Sequence, residues 1–133
     1  ILVPWYENLH KRQVKSPKLY VRDSGLLHAL VDIRDEKQLH LHPKIGPSWE
    51  GFALEEIIKE RHAAPEECYF WATQAGAELD LLIVKDGKKV GYEFKYTDAP
   101  KVTSSMRTAI ETLQLDHLYV VFPYKERSFP LAE

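Results

Sequence analysis

Cysteine is almost absent from this chain: one thiol, Cys68, among 133 residues leaves no intramolecular disulfide framework. That is the usage of a reducing compartment, and a cytoplasmic setting is expected. Cys68 heads the apolar run Cys68-Tyr69-Phe70-Trp71-Ala72, which reads as a buried structural thiol rather than a reactive one. Long hydrophobic runs are also missing. None approaches the roughly 18 residues that span a bilayer, and no charged leader precedes an apolar segment. The chain lacks G-x-x-x-x-G-K-[ST], so this stretch binds no nucleotide through a P-loop. His40 and His42 stand two apart with no cysteine or third histidine at finger-like spacing, which argues against zinc. Nucleophile-elbow chemistry has no motif here. Nor is there an excess of positive charge. With 18 Lys and Arg against 20 Asp and Glu, the net charge is −2, which excludes a uniformly basic nucleic-acid binder. Apolar content of 44% and charged content of 29% are ordinary for one globular domain.

What is present concentrates between Glu78 and Lys95. Leu79, Leu81 and Ile83 alternate with Glu78, Asp80, Leu82 and Val84, the period of a β-strand. Asp86-Gly87 is a strong signal for a two-residue hairpin turn with φ > 0. A two-residue turn there pairs Lys85 with Lys88, and the register then sets Asp80 opposite Glu93 and Glu78 opposite Lys95. Opposed residues share a face with Cβ atoms roughly 4.5–5.5 Å apart. Two facing carboxylates repel, so a cation is expected beside them: a divalent metal or Lys95.

A helix is expected from Pro47 or Ser48 to about Arg61, with an apolar stripe of Trp49, Phe52, Ala53, Leu54, Ile57 and Ile58. Glu50 falls on that stripe at i, i+3, i+4, i+7 spacing with Ala53, Leu54 and Ile57. An unpaired inward charge costs several kcal/mol, so Glu50 also needs a partner. Tyr69–Thr73 reads as a strand, Gln74–Ala77 as a turn, and Thr103 or Ser104 as the cap of a helix carrying Met106, Ala109, Ile110 and Leu113. Leu118–Phe122 is nearly all apolar, as in a strand covered on both faces. From residue 47 the order is helix, strand, strand, strand, helix, strand, which predicts an α/β domain with a mixed four-stranded sheet flanked by helices.

Residues 1–17, with Pro4 and Pro17 and no clear period, read as a linker. Lys18–Arg22 reads as a short strand, and Asp23 or Ser24 as the cap of a helix through Val31. His10, Lys11, Arg12, Lys15, Lys18 and Arg22 crowd this end. Such a stripe either lies solvated or contacts phosphates, with Lys11, Arg12, Lys15 and Lys18 as candidate nucleic-acid ligands and Trp5 or Tyr6 as stacking partners.

The helix–meander–helix–strand order resembles the PD-(D/E)xK nuclease superfamily and its restriction-endonuclease-like αβββαβ core. Glu50 matches the helical acid, Asp80 the strand aspartate, and Glu93-Phe94-Lys95 the E-x-K; Leu79 stands where the motif's proline would be. A narrower resemblance covers nearly the whole chain. Lys15–Leu27, His42–Phe52 and Ala75–Asp80 look like the C-terminal domain of prokaryotic AAA-type ATPases. It implies an ATPase domain N-terminal to residues 1–17, a nuclease-like domain over residues 18–133, and assembly into a homo-oligomer. It further implies Mg²⁺ or Mn²⁺ bound by Asp80, Glu93 and Glu50, with the Phe94 carbonyl as a further ligand. Lys95 would orient or activate water for phosphodiester hydrolysis on DNA. Two alternatives stand beside this: a buried ionic cluster neutralised by Lys95 and backbone N–H groups, and a non-catalytic DNA-binding or assembly module.

Overall fold

The computed structural model describes residues 2–7, 13, 18, 45–97 and 99–123. Strand β1 (Val3–Pro4) is followed by helix α1 (Ile45–Glu60), a 3₁₀ turn (Pro65–Glu67) and strands β2 (Cys68–Ala72), β3 (Glu78–Lys85) and β4 (Lys88–Phe94). Helix α2 (Ser104–Leu113) and strand β5 (His117–Val121) complete the described elements. The helix expected before Val31 and the tail from Lys125 lie outside the described residues.

The strands form one mixed sheet in the order β1-β2-β3-β4-β5. β2, β3 and β4 are an antiparallel meander, and β5 returns parallel to β4 through α2, the crossover that a parallel pair requires. The expected four strands become five, because Val3 and Pro4 pair in parallel with Tyr69 and Phe70. Leu2, read from the sequence as linker, is buried in the core. Proline is tolerated in β1 because that strand is the edge of the sheet among the described residues.

The hairpin forms as its turn residues dictate. Asp86 and Gly87 adopt φ of 53° and 76°, and the register runs from Lys85↔Lys88 to Leu81↔Tyr92. Side chains then alternate between two cores. Phe70, Leu81, Ile83, Tyr92 and Phe94 pack with Ala53 and Leu54 of α1. Trp71, Leu79 and Leu82 pack with Ala109 and Leu113 of α2. Leu79 and Leu82 share a face although strict alternation would separate them. The pairing with β2 explains it: Tyr69 faces Leu82 while Trp71 faces Leu79, so β3 carries one extra residue there. This is a β-bulge centred on Asp80 and Leu81, a device that bends a strand and re-aims a side chain.

Two further expectations change. Phe52 is 50% exposed rather than on the buried stripe, because it lies about 160° around the helix from Leu54. β5 is only partly buried, as it stands at the far edge of the sheet among the described residues, though Tyr119 and Val121 meet one core and Leu118 the other. Helix α2 starts as expected: Thr103 Oγ1 accepts from the Met106 N–H at 3.2 Å. Cys68 is buried, and its thiol, 3.4 Å from the Ala64 carbonyl that accepts from it, is pushed up to about 11, chiefly by burial. That is the inert thiol expected.

Gly91 lies where β4 passes under α2 and β5. A Cβ there would stand 2.9 Å from Leu115 Cδ1, 3.0 Å from Leu118 Cδ1 and 3.1 Å from Leu79 Cδ1. All three are leucine ends, and three of them must give way at once, so Gly91→Ala is expected to destabilise by about 1–3 kcal/mol. Urea unfolding checks this: the midpoint falls with an unchanged slope.

Candidate carboxylate site

Beyond Leu81↔Tyr92, β3 and β4 are joined through side chains. Asp80 Oδ2 accepts from the Phe94 N–H at 2.9 Å, and Glu93 Oε1 accepts from the Asp80 N–H at 3.1 Å. The bulge places Asp80 for this exchange. Glu93 is 4% exposed. Burial first, and then the neighbouring Asp80 charge, push its carboxyl up to about 8; Lys95 and the Asp80 N–H pull the other way. A hydrogen bond between the two side chains favours the proton on Glu93. Burial and the Asp80 charge thus favour the protonated form of Glu93.

Lys95 follows β4 directly. Its N–H donates to the Val121 carbonyl at 2.9 Å, fixing the backbone, and its Nζ lies 3.8 Å from Glu93 Oε2 on a side chain 41% exposed. The ion pair of Lys95 is thus with Glu93, two residues before it, and the expected facing of Glu78 and Lys95 is not part of the β3–β4 register.

Helix α1 brings the third acid. The Trp49 ring meets Phe94 edge-on at 6.4 Å and Tyr96 at 6.0 Å, which docks the N-terminal half of α1 over the end of β4. Glu50, the next residue, is half-buried. Burial, then Asp80 and to a smaller degree Glu78, raise its carboxyl, while Lys95 and Lys18 lower it. So Glu50, Asp80, Glu93 and Lys95 lie within one electrostatic neighbourhood.

Lys18 joins them from an unexpected direction. Its backbone N–H and C=O each bond Leu2 at 2.8 Å, and its Nζ stands 4.7 Å above the buried Phe70 ring. Lys11, Arg12 and Lys15 lie outside the described residues. Thr73 is occupied by its turn, where its Oγ1 accepts from the Ala77 N–H at 3.1 Å. Trp5 is engaged as well, edge-on to Tyr69 at 4.9 Å and donating to Glu7 Oε2 at 2.6 Å. Buried Gln13, which no sequence pattern marks, accepts from the Trp71 indole at 2.9 Å.

Among the described residues, no group of three or more His, Cys, Asp or Glu is arranged to hold a metal. The Asp80–Glu93 pair alone is a two-donor oxygen set. Such a set fits Mg²⁺ or Mn²⁺, hard cations that retain several waters beside one or two carboxylates. No helix among the described residues is long and apolar enough to cross a membrane.

Among the described residues, the fold and site therefore define an α/β domain with a five-stranded mixed sheet and a carboxyl pair, buried Glu93 and half-buried Asp80, at the β3–β4 fork. Residues 45–131 match the domain of unknown function DUF4143, and the chain belongs to that family, whose members occur at the C-terminus of AAA-type ATPases in prokaryotes. Residues 1–37 match a second domain of unknown function, DUF8612. An uncharacterised protein of Mycobacterium tuberculosis and one of Mycobacterium bovis are each 47% identical over 132 residues, 99% of this chain. The chain spans 29% of the length of these relatives. No solved structure matches it.

Proposed function

We propose that this is a PD-(D/E)xK nuclease-like domain serving an AAA-type ATPase, with metal-dependent phosphodiester hydrolysis on DNA as its chemistry. The observation that carries the reading is the Asp80–Glu93 pair, held in register by reciprocal side-chain-to-backbone bonds with Lys95 beside it. A divalent cation bound by Asp80 and Glu93 would supply Lewis-acid polarisation of the phosphodiester. Lys95, exposed enough to reach substrate, orients the attacking water and offsets charge developing on the phosphoryl oxygens. Glu50, whose carboxyl on α1 feels the Asp80 charge, would accept a proton from that water or hold it in line. The restriction-endonuclease-like core is the fold reading that suits this order of elements. DNA, an ATPase domain of the parent protein and further copies of the chain are the proposed partners.

A second reading is favoured by two observations: each carboxyl of the pair already accepts a backbone N–H, and among the described residues no group of three acids is arranged to hold a metal. In that reading the domain binds DNA, or assembles the ATPase, without chemistry. Nicking of supercoiled plasmid by the intact protein separates the two. The catalytic reading expects cleavage in Mg²⁺ or Mn²⁺ that EDTA abolishes. DNA binding without cleavage in either metal leaves the second reading.

A further inference from the structure

Strand β2 is held along the edge away from β3 by the N-terminal segment, at points on both sides of the register shift that makes the bulge. On one side, Val3 and Pro4 pair with Tyr69 and Phe70. The Trp5 N–H donates to the Phe70 carbonyl at 2.7 Å, and the Trp5 ring meets Tyr69 edge-on at 4.9 Å. On the other side stands Gln13. It bridges antiparallel to Thr73, and its Oε1 accepts from the Trp71 indole N–H at 2.9 Å. Glu7 fixes Gln13 in turn: its N–H donates to the same oxygen at 2.9 Å, and its carbonyl accepts from Gln13 Nε2 at 2.5 Å. Gln13 is buried and Trp71 wholly so. Removing the Gln13 amide would therefore leave the indole N–H without a partner and away from water.

The two anchors hold different registers. Tyr69 pairs with Leu82, and Trp71 with Leu79; an unbroken ladder would instead set Trp71 opposite Asp80. A slip of one residue turns side chains to the other face of a sheet. Trp71 and Leu79 share the core under α2. A line of contacts thus runs from Gln13 to Trp71, from Trp71 to Leu79, and so to Asp80, the next residue. The bulged position is the one from which Asp80 exchanges bonds with β4, taking the Phe94 N–H at 2.9 Å and giving its own N–H to Glu93 at 3.1 Å.

We propose that Gln13 is a positioning residue for the Asp80–Glu93 pair: by anchoring Trp71 it holds the shifted register of β2 and β3, and with it the bulge from which Asp80 reaches β4. The N-terminal segment, expected to be a linker, is then part of the site, and its release would disarm the pair without any change in the pair's own residues. The geometric claim stands on contacts alone. Its consequence for a divalent cation rests on the metal-dependent reading above.

Gln13→Met in the intact protein tests this, with amide hydrogen exchange as the first readout. Methionine nearly keeps the volume and removes the amide oxygen that the indole needs. The Asp80 and Phe94 amides are expected to exchange at least about tenfold faster than in wild type, while the amides of the β4–β5 ladder keep their rates. Loss of packing at Trp71 alone would loosen β2 and leave the Phe94 amide, which sits on β4, with that ladder. Trp5→Leu loosens the first anchor and strands no buried donor. It is expected to move the same two amides by a smaller factor, and it carries the test if Gln13→Met does not fold. The second readout is Mn²⁺ affinity by calorimetry, expected to fall about tenfold in the same variant. Asp80 and Phe94 amides that keep wild-type rates, or that rise only in step with the β4–β5 ladder, overturn the inference. So does a wild-type Mn²⁺ affinity in the variant. If wild type itself takes up no Mn²⁺, the metal-dependent reading falls, and the exchange rates alone still decide the place of Gln13.

Discussion

Asp80→Asn is expected to abolish metal-dependent DNA cleavage while the fold stays intact. Asparagine has the shape of aspartate, and its Oδ1 still accepts from the Phe94 N–H that Asp80 Oδ2 takes at 2.9 Å. Its amide can also face the Glu93 carboxyl that now bonds Asp80. What disappears is one of the two anionic oxygen donors. Lewis-acid stabilisation of the transition state contributes several kcal/mol, so the loss should be at least about 10³-fold in single-turnover rate. Asp80→Ala is the poorer test. It strands the Phe94 N–H, a burden of about 1–3 kcal/mol, and so mixes stability with chemistry. Cleavage by Asp80→Asn within tenfold of wild type would remove Asp80 from the proposed mechanism.

Local chemistry made much of this site legible in the sequence. Asp86-Gly87 admits a turn with positive φ at both positions, and that turn alone sets Leu81 against Tyr92. The helical spacing put Glu50 on the inward stripe, where burial now raises its carboxyl. Three features depended on distant contacts and had no local signal. The bulge at Asp80 arises from pairing with β2, on the edge of β3 away from the hairpin. β1 is two residues long, too short to show a period. Gln13 and Lys18 acquire their places from Trp71, Leu2 and Phe70, far along the chain. Repulsion between the facing acids was read correctly, but its resolution was incomplete. Lys95 stands 3.8 Å from Glu93, at the long end for an ion pair, and burial with the Asp80 charge raises the Glu93 carboxyl, so protonation of Glu93 relieves the repulsion that a nearby cation was expected to relieve.

The raised Glu93 carboxyl leads to the second large effect. In the unfolded chain Glu93 titrates near the ordinary 4.5, whereas burial and Asp80 hold it up to about 8 in the folded protein. Below about pH 4.5 both states hold the proton and nothing is lost. Between about 4.5 and about 8 the unfolded state releases it while the folded state keeps it, so stability falls as pH rises through this window. The loss is on the order of a few kcal/mol at its upper end. In metal-free protein, thermal melts should show a declining midpoint across that range. Glu93→Gln, which mimics the protonated carboxyl and still accepts from the Asp80 N–H, should flatten the profile and be the more stable protein at pH 8. A divalent cation reverses the trend, since it must displace the proton to engage Glu93. Mn²⁺ affinity should rise about tenfold per pH unit up to about pH 8 and then level, with close to one proton released per ion at pH 7. Calorimetry in two buffers of different ionisation enthalpy measures that release directly. Mn²⁺ uptake with no proton released, or with the same pH dependence in Glu93→Gln, would place the ion away from this pair.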